Sequence, residues 1–156
     1  MALKLGKGIN ISHWLSRRGV SEQIRDEWFS QEDARRIAGW GMDHIRIPVD
    51  EEVLWTAGGD RNEDAFSLLD NTLDWCEAAG LNAVVDLHIL RSHFFNDEKE
   101  PLLYTDESEK EKFAWFWKDL SGSLKNRDND FLAYELLNEP VARVNERWND
   151  LYPYPY

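Results

Sequence analysis

The chain has 156 residues, of which 42% are hydrophobic, and this length and apolar content fit one domain with a buried core. Its 30 acidic and 18 basic residues give a net charge of -12, which disfavours nucleic acid and anionic membrane surfaces as partners. Cys76 is the only cysteine, so the sequence provides no intrachain disulfide and no cysteine zinc site. The sequence contains no apolar run that spans a bilayer and no signal-peptide core at its start, so we expect a cytoplasmic location.

Aromatic residues make up 13% of the chain, with eight Trp, five Tyr and seven Phe. Most of them are expected to pack in the core, and the remainder can provide flat faces for sugar rings. An acidic, aromatic-rich composition suits a neutral polymer substrate but does not by itself identify one.

Four apolar segments with strand character alternate with helical patterns along the chain. The predicted strands are residues 8–11, 44–48, 81–88 and 131–137, and the predicted helices are residues 30–40, 66–79 and 109–124, with a final short helix beginning near Val144 that includes Trp148 and Leu151. Ser30 followed by Asp33 predicts a helix start with a capping box. The alternation predicts β-α-β units and a parallel sheet, with the longest loop running from Ile89 to about Ser108.

Several polar side chains follow the predicted strands at the same end. They are Asn10, Arg46, His88, Asn138 and Glu139. Because parallel α/β folds place their ligand sites at the carboxyl ends of strands, we expect these side chains to lie together. A carboxyl group fixed there can donate or accept a proton, and an amide beside it can hydrogen-bond a substrate hydroxyl.

Nucleotide and metal sites are both disfavoured by the residues near this end of the sheet. A nucleotide-binding sheet usually has a glycine-rich turn after its first strand, whereas this chain has residues 13–16, His-Trp-Leu-Ser. His88 and His93 could suggest a metal pair, but no pattern for a third ligand accompanies them.

Four motifs stand at the strand ends, in the order Gly8-Ile9-Asn10-Ile11-Ser12-His13-Trp14, His44-Ile45-Arg46-Ile47-Pro48, Asp86-Leu87-His88 and Asn138-Glu139-Pro140. Taken together and in this order, they resemble the amino-terminal half of the family five glycoside hydrolases, the cellulase family. The resemblance implies an eight-stranded (β/α) barrel, a mechanism that retains anomeric configuration, a β-glucan or related polysaccharide as substrate, and no metal or organic cofactor.

The same resemblance implies roles for individual residues. Glu139 is similar to the general acid/base of the family, and Asn138 to the residue that bonds the sugar 2-hydroxyl. Arg46 is similar to the residue that orients the catalytic carboxylates, and His88 to a substrate-binding histidine. Glu135 lies inside a strand, so we expect it to be a structural acid paired within the sheet.

Tryptophans divide into two groups by their position in the pattern. Trp14 and Trp55 fall in loops at the carboxyl end of the sheet and are candidates for sugar stacking. Trp40, Trp75 and Trp117 follow helical periodicity, which predicts that they belong to the core.

Residues 1–156 provide four strands of the eight that a barrel needs, so we predict one (β/α)4 half-barrel domain. In the family the nucleophilic glutamate lies on the seventh strand, which leaves open whether this chain alone is an enzyme. The main hypothesis is half of an endo-β-glucanase-like glycoside hydrolase that needs a partner, either another copy in a homo-oligomer or a complementary half-barrel. The alternatives are a catalytically silent carbohydrate-binding or self-assembling module, and an enzyme on a flavodoxin-like sheet with unrelated chemistry.

Overall fold

A single parallel sheet with the strand order β1-β2-β3-β4 organises the computed structural model. The structure describes residue 3, residues 5–17, residue 19, residues 22–94, residues 99–141 and residue 149. Its elements are β1 Gly8–Asn10, α1 Glu22–Trp28, α2 Gln31–Gly39, β2 His44–Val49, α3 Glu51–Leu54, α4 Glu63–Ala78, β3 Asn82–Leu87, α5 Leu102–Thr105, α6 Glu107–Leu124 and β4 Leu132–Glu135. The alternation of strands and helices confirms the predicted β-α-β order. The helix predicted near Val144 lies outside the described residues.

Neighbouring strands pair in register, so their carboxyl ends meet at one edge. Gly8 pairs with His44, and His44 pairs with Asn82. Farther along, Pro48 pairs with Asp86, and Asp86 pairs with Glu135. This register places β-strand residues of equal height side by side, which assembles a site from residues far apart in the sequence.

The two faces of the sheet differ in chemistry because side chains alternate along a strand. Ile45, Ile47 and Val85 lie on the face that is covered by helices, and none of these three side chains reaches solvent. Arg46 and Glu135 lie on the opposite face and are half-buried. The carboxyl-end half of this face carries the charged side chains of Arg46, Asp86 and Glu135.

Gly8 is required by a close approach between β1 and β2. A Cβ atom at position 8 would lie 2.1 Å from His44 Nε2, well inside contact distance. His44 is fixed in this place by a hydrogen bond of 2.6 Å between its Nδ1 and Asp43 Oδ1. His44 therefore packs as a structural residue between β1 and β2.

Helix boundaries follow local capping side chains. Ser30 and Asp33 form the predicted capping box at the start of α2. Asn62 accepts a hydrogen bond from the Ala65 backbone at the start of α4, and Asp106 accepts one from Ser108 at the start of α6. The short helices α3 and α5, and helix α1, were not predicted, because four to seven residues carry too little periodicity to be recognised.

One prediction about the core is wrong. Trp40 is 66% exposed, although helical periodicity assigned it to the core. It lies one residue beyond α2 and lines a groove with Ile9 and Trp28 beside β1, where no further element of the described chain covers it. Trp117 is buried and Trp75 packs against the core, as predicted.

Asp119 of α6 connects the helix layer to the loop after α3. Its carboxylate accepts hydrogen bonds from Trp55 Nε1 at 2.9 Å and from Arg61 Nε at 2.7 Å. The Arg61 hydrogen bonds lower the pKa of Asp119 below the ordinary value of 3.8. Replacement of Asp119 therefore leaves a buried indole N–H and a guanidinium without their acceptor.

We predict that Asp119→Ala lowers the free energy of unfolding by about 2 kcal/mol, the cost of leaving such donors unpaired. Glu111→Ala, an exposed position on the same helix, should change it by less than about 0.5 kcal/mol. Urea unfolding of both variants measures the difference. Because the pKa of Asp119 is lowered on folding, the difference should be fully present above pH 3.8 and decrease as the pH falls through the lowered value. Equal stability of the two variants at neutral pH would contradict the assigned role.

Candidate active site

Arg46 is the centre of a polar cluster at the carboxyl end of the sheet. Its Nε donates to Glu135 Oε2 at 2.7 Å, and its Nη2 donates to Glu135 Oε1 at 2.9 Å. This two-pronged contact is the strongest geometry available to an arginine and a carboxylate. It confirms the prediction that Glu135 is a paired structural acid.

The remaining donors of Arg46 reach three other parts of the chain. Nη1 donates to Asn10 Oδ1 at 2.9 Å, which joins β1 to the cluster. Nη2 contacts Asn138 Oδ1 at 3.0 Å and Asp86 Oδ2 at 2.8 Å. The hydrogen bonds to Glu135 raise the pKa of Arg46, and the charges of Asp86, Glu135 and Glu139 raise it further, so the guanidinium stays charged.

Asp86 is a fully buried carboxylate between Arg46 and His88. Its Oδ2 lies 2.6 Å from His88 Nδ1, while its Oδ1 has no hydrogen-bond partner within the described part of the chain. Burial raises the pKa of Asp86, and the hydrogen bond from His88 and the charge of Arg46 partly oppose this rise. Because a carboxylate can only accept, the geometry assigns the proton to Nδ1 of His88 and leaves Nε2 as an acceptor.

Asn138 and Glu139 follow β4 by only a few residues but have different surroundings. Asn138 is 7% exposed, and its backbone N–H donates to Leu87 O at 3.2 Å. Glu139 is exposed and has a φ of 42°, in the left-handed region that a residue with a side chain seldom adopts. Trp117 Nε1 donates to Leu136 O at 3.0 Å and supports this segment from below. A strained backbone next to an immobilised amide is typical of a functional position.

The sequence prediction located five of the cluster's side chains and missed one. Arg46 contacts both Asn10 and Asn138, His88 joins through Asp86, and Glu139 adds its charge to the same region. Asp86 had no assigned role. Its signal was present in the sequence, since an acid two residues before a histidine in an extended segment lies on the same face as that histidine.

Trp14 and Trp55 do not form the predicted sugar-stacking surfaces. Each is 1% exposed, so neither ring face is open to a ligand. Trp14 Nε1 donates to Arg25 O at 2.9 Å, and Trp55 packs against Phe116 with ring centroids 4.6 Å apart. Both rings lie below the loops and fill the layer between sheet and helices, where large aromatic rings bury the most apolar surface.

Across the described residues, no cluster of three or more His, Cys, Asp or Glu side chains has the geometry to hold a metal ion. The same residues include no helix with the length and hydropathy needed to cross a membrane.

The sequence model of cellulase, glycosyl hydrolase family 5, matches residues 8–155. The chain belongs to this family. It is 33% identical over 147 residues to Endoglucanase C of Acetivibrio thermocellus, and 30% identical over 147 residues to Cellodextrinase A of Ruminococcus flavefaciens. These alignments cover 92% and 93% of the chain and 43% and 44% of the relatives.

Solved structures show the same relation. The structure of Thermotoga maritima Cel5A in complex with cellobiose matches 97% of the chain with a TM-score of 0.72 at 27% identity, and the chain covers 46% of that protein. The four β/α units thus correspond to half of a family 5 TIM barrel, as the sequence predicted. The chain spans less than half the length of the relatives it matches.

We predict that His88 carries its neutral-state proton on Nδ1 and that Asp86→Ala abolishes this preference, because the acceptor is removed. Long-range proton–nitrogen NMR of labelled protein distinguishes the two tautomers from the chemical shifts of the ring nitrogens. Asp43→Ala removes the equivalent partner of His44 and is the matched control, since it should leave the signals of His88 unchanged. An Nε2-protonated His88 in the unmodified protein would contradict the assignment.

Proposed function

We propose that this chain is the acid/base-bearing half of a polysaccharide-cleaving glycoside hydrolase, acting on β-glucan or a related polymer. The single observation that carries the proposal is the Arg46 cluster, which fixes Asn138 beside an exposed Glu139. Endoglucanase C and the cellobiose complex of Cel5A support the substrate class by similarity.

Glu139 is the carboxyl group that transfers the proton to the leaving sugar oxygen. It is the exposed carboxyl group of the cluster, whereas Asp86 is buried and Glu135 is occupied by Arg46. Asn138, held at 3.0 Å from Arg46 Nη2, positions its amide to donate to a sugar hydroxyl. His88, with Nε2 as an acceptor, receives a hydrogen bond from another hydroxyl of the same sugar.

A second carboxylate must come from outside the described residues. Retaining hydrolysis needs two carboxyl groups about 5 to 5.5 Å apart, and inversion needs about 6.5 to 9.5 Å. Asp86 and Glu135 are both committed to Arg46, so neither is available as a nucleophile without breaking the cluster. We therefore propose that a complementary half carries the nucleophile on its own strand end.

The edges of the sheet are suited to receiving that half. All three residues of β1 are exposed, and Tyr134 of β4 is 38% exposed. Ile9, Trp28 and Trp40 line a groove of about 360 Å³ alongside β1, an apolar surface at the position where another β/α unit would pack. A second copy of this chain or a complementary half-barrel fits these edges. In a two-fold pair the two Glu139 residues would lie opposite each other, which assembles a barrel without retaining geometry.

We predict that the isolated chain turns over a chromogenic cellobioside far below the ~10 per second of a typical enzyme. A chimera that joins residues 8–155 to the remaining part of Endoglucanase C should be active, and Glu139→Gln in this chimera should reduce kcat at least about a hundredfold, because the transferable proton is removed. Glu111→Gln, at an exposed position of α6, is the control. An active chimera whose rate does not change on Glu139→Gln would refute the role of Glu139, and full activity of the isolated chain would show that the second carboxylate is already present.

We also predict that the chain self-associates at micromolar concentration through its sheet edges. Sedimentation velocity should give a mass above that of the monomer, and Trp40→Asp should shift it towards the monomer by placing a charge in the apolar groove. Leu102→Asp, at a side chain that is 57% exposed beyond β3, is the control and should leave the mass unchanged. A monomeric unmodified chain would contradict self-association.

A further inference from the structure

The structure has a second groove with aromatic and polar walls. It is formed by the segments that follow β2 and β3 together with the first half of α6, and its volume is about 530 Å³. Its walls include Glu51, Gly58, Arg91, Leu102, Lys112 and Trp115. None of these residues takes part in the cluster around Arg46. We call this feature the outer groove.

Trp115 gives the outer groove an aromatic surface with a fixed orientation. Its side chain is 41% exposed, yet the ring packs in edge contact with Trp55 at a centroid distance of 6.2 Å and with Phe116 at 5.4 Å. Trp55 is in turn held by Asp119. A partly exposed indole supported from behind binds a flat ligand at a low cost in conformational entropy.

The polar side chains of the outer groove are also held in place by contacts within the chain. Glu51 is 5% exposed and accepts from the Arg91 backbone N–H at 2.8 Å and from the Arg91 guanidinium. Arg91 Nη2 also donates to Trp55 O at 3.2 Å, so the guanidinium is held at the groove wall. The loop 56–60 is closed by a hydrogen bond from Thr56 N to Asp60 O at 2.8 Å.

The charges around the outer groove select against an anionic ligand. Three carboxylates, Glu51, Asp60 and Glu109, face two cations, Arg91 and Lys112. A phosphate or uronate would be repelled by this acidic excess in a chain whose net charge is -12. Mixed donors and acceptors next to one indole suit a neutral ring that carries hydroxyl groups, and the volume lies within the range of about 300 to 1,000 Å³ typical of small-molecule sites.

We propose that the outer groove is a second carbohydrate-binding site, in which a pyranose ring of a neutral oligosaccharide packs on Trp115 and its hydroxyls bond the polar wall. The choice of a β-1,4-linked sugar rests on the proposed function. The location of the site does not, because it depends only on the groove residues. Such a site holds a polymer chain beside the segments after β2 and β3 without taking part in bond cleavage.

The test is an NMR titration of the whole chain with cellotetraose and, separately, mannotetraose, observing the indole N–H signals. The Trp115 signal, assigned by its loss in Trp115→Phe, should shift and saturate with at least one of the two sugars. Trp115→Ala should weaken binding at least about fivefold, the effect expected for truncation of an aromatic anchor, and Trp115→Phe should retain part of the affinity. Ile24→Ala, which truncates an exposed apolar side chain of α1, is the control and should bind like the unmodified chain.

Two further arms separate this inference from the proposed function. Tetragalacturonate, a chain of anionic sugars, should leave the Trp115 signal unchanged. Glu139→Gln should not change the titration of the Trp115 signal. If the chimera is active and Glu139→Gln does not change its rate, the proposed catalytic role of Glu139 is refuted, but the inference about the outer groove is unaffected. An unshifted Trp115 signal with both neutral sugars, or equal affinity in Trp115→Ala, would overturn the inference.

Discussion

The contacts of Arg46 constrain the positions of the polar side chains at the carboxyl end of this sheet. One guanidinium joins β1 through Asn10, β3 through Asp86, β4 through Glu135 and the segment after β4 through Asn138. Its planar shape fixes the directions in which its donors point, so each partner has one permitted place. The in-register strands bring these partners to a common height, and the arginine then locks the distances between them.

This arrangement explains why the inner face of the half-barrel tolerates charge. The group formed by Arg46, Asp86 and Glu135 contains one cation and two carboxylates. The carboxylate oxygens receive most of their hydrogen bonds from that cation. Removing one member of such a network lowers the free energy of unfolding by more than the contribution of a single contact, because each lost partner leaves another charge uncompensated. Glu135 and Glu139 differ in their contacts with Arg46. Arg46 binds the carboxylate of Glu135 and holds it in place, whereas the carboxylate of Glu139 remains exposed to solvent.

Much of this architecture could be predicted from sequence because it depends on local sequence patterns. The capping box at Ser30 and the apolar run of β3 each require only a few neighbouring residues. The surroundings of tryptophans could not be predicted in this way. Trp14 and Trp55 were placed by loop position alone, whereas their burial depends on helices α1 and α6, whose side chains and backbone accept their indole hydrogens. The prediction that Trp40 is buried failed for the opposite reason, since periodicity identifies a face of a helix but does not show whether another element covers it.

The backbone of Glu139 has a consequence for the evolution of this chain. A φ of 42° suits glycine, and to a lesser degree asparagine, better than glutamate. Replacement by either residue would relieve local strain while deleting the carboxyl group. Stability alone therefore favours glycine at this position, and the carboxyl group of Glu139 is present at the expense of backbone strain.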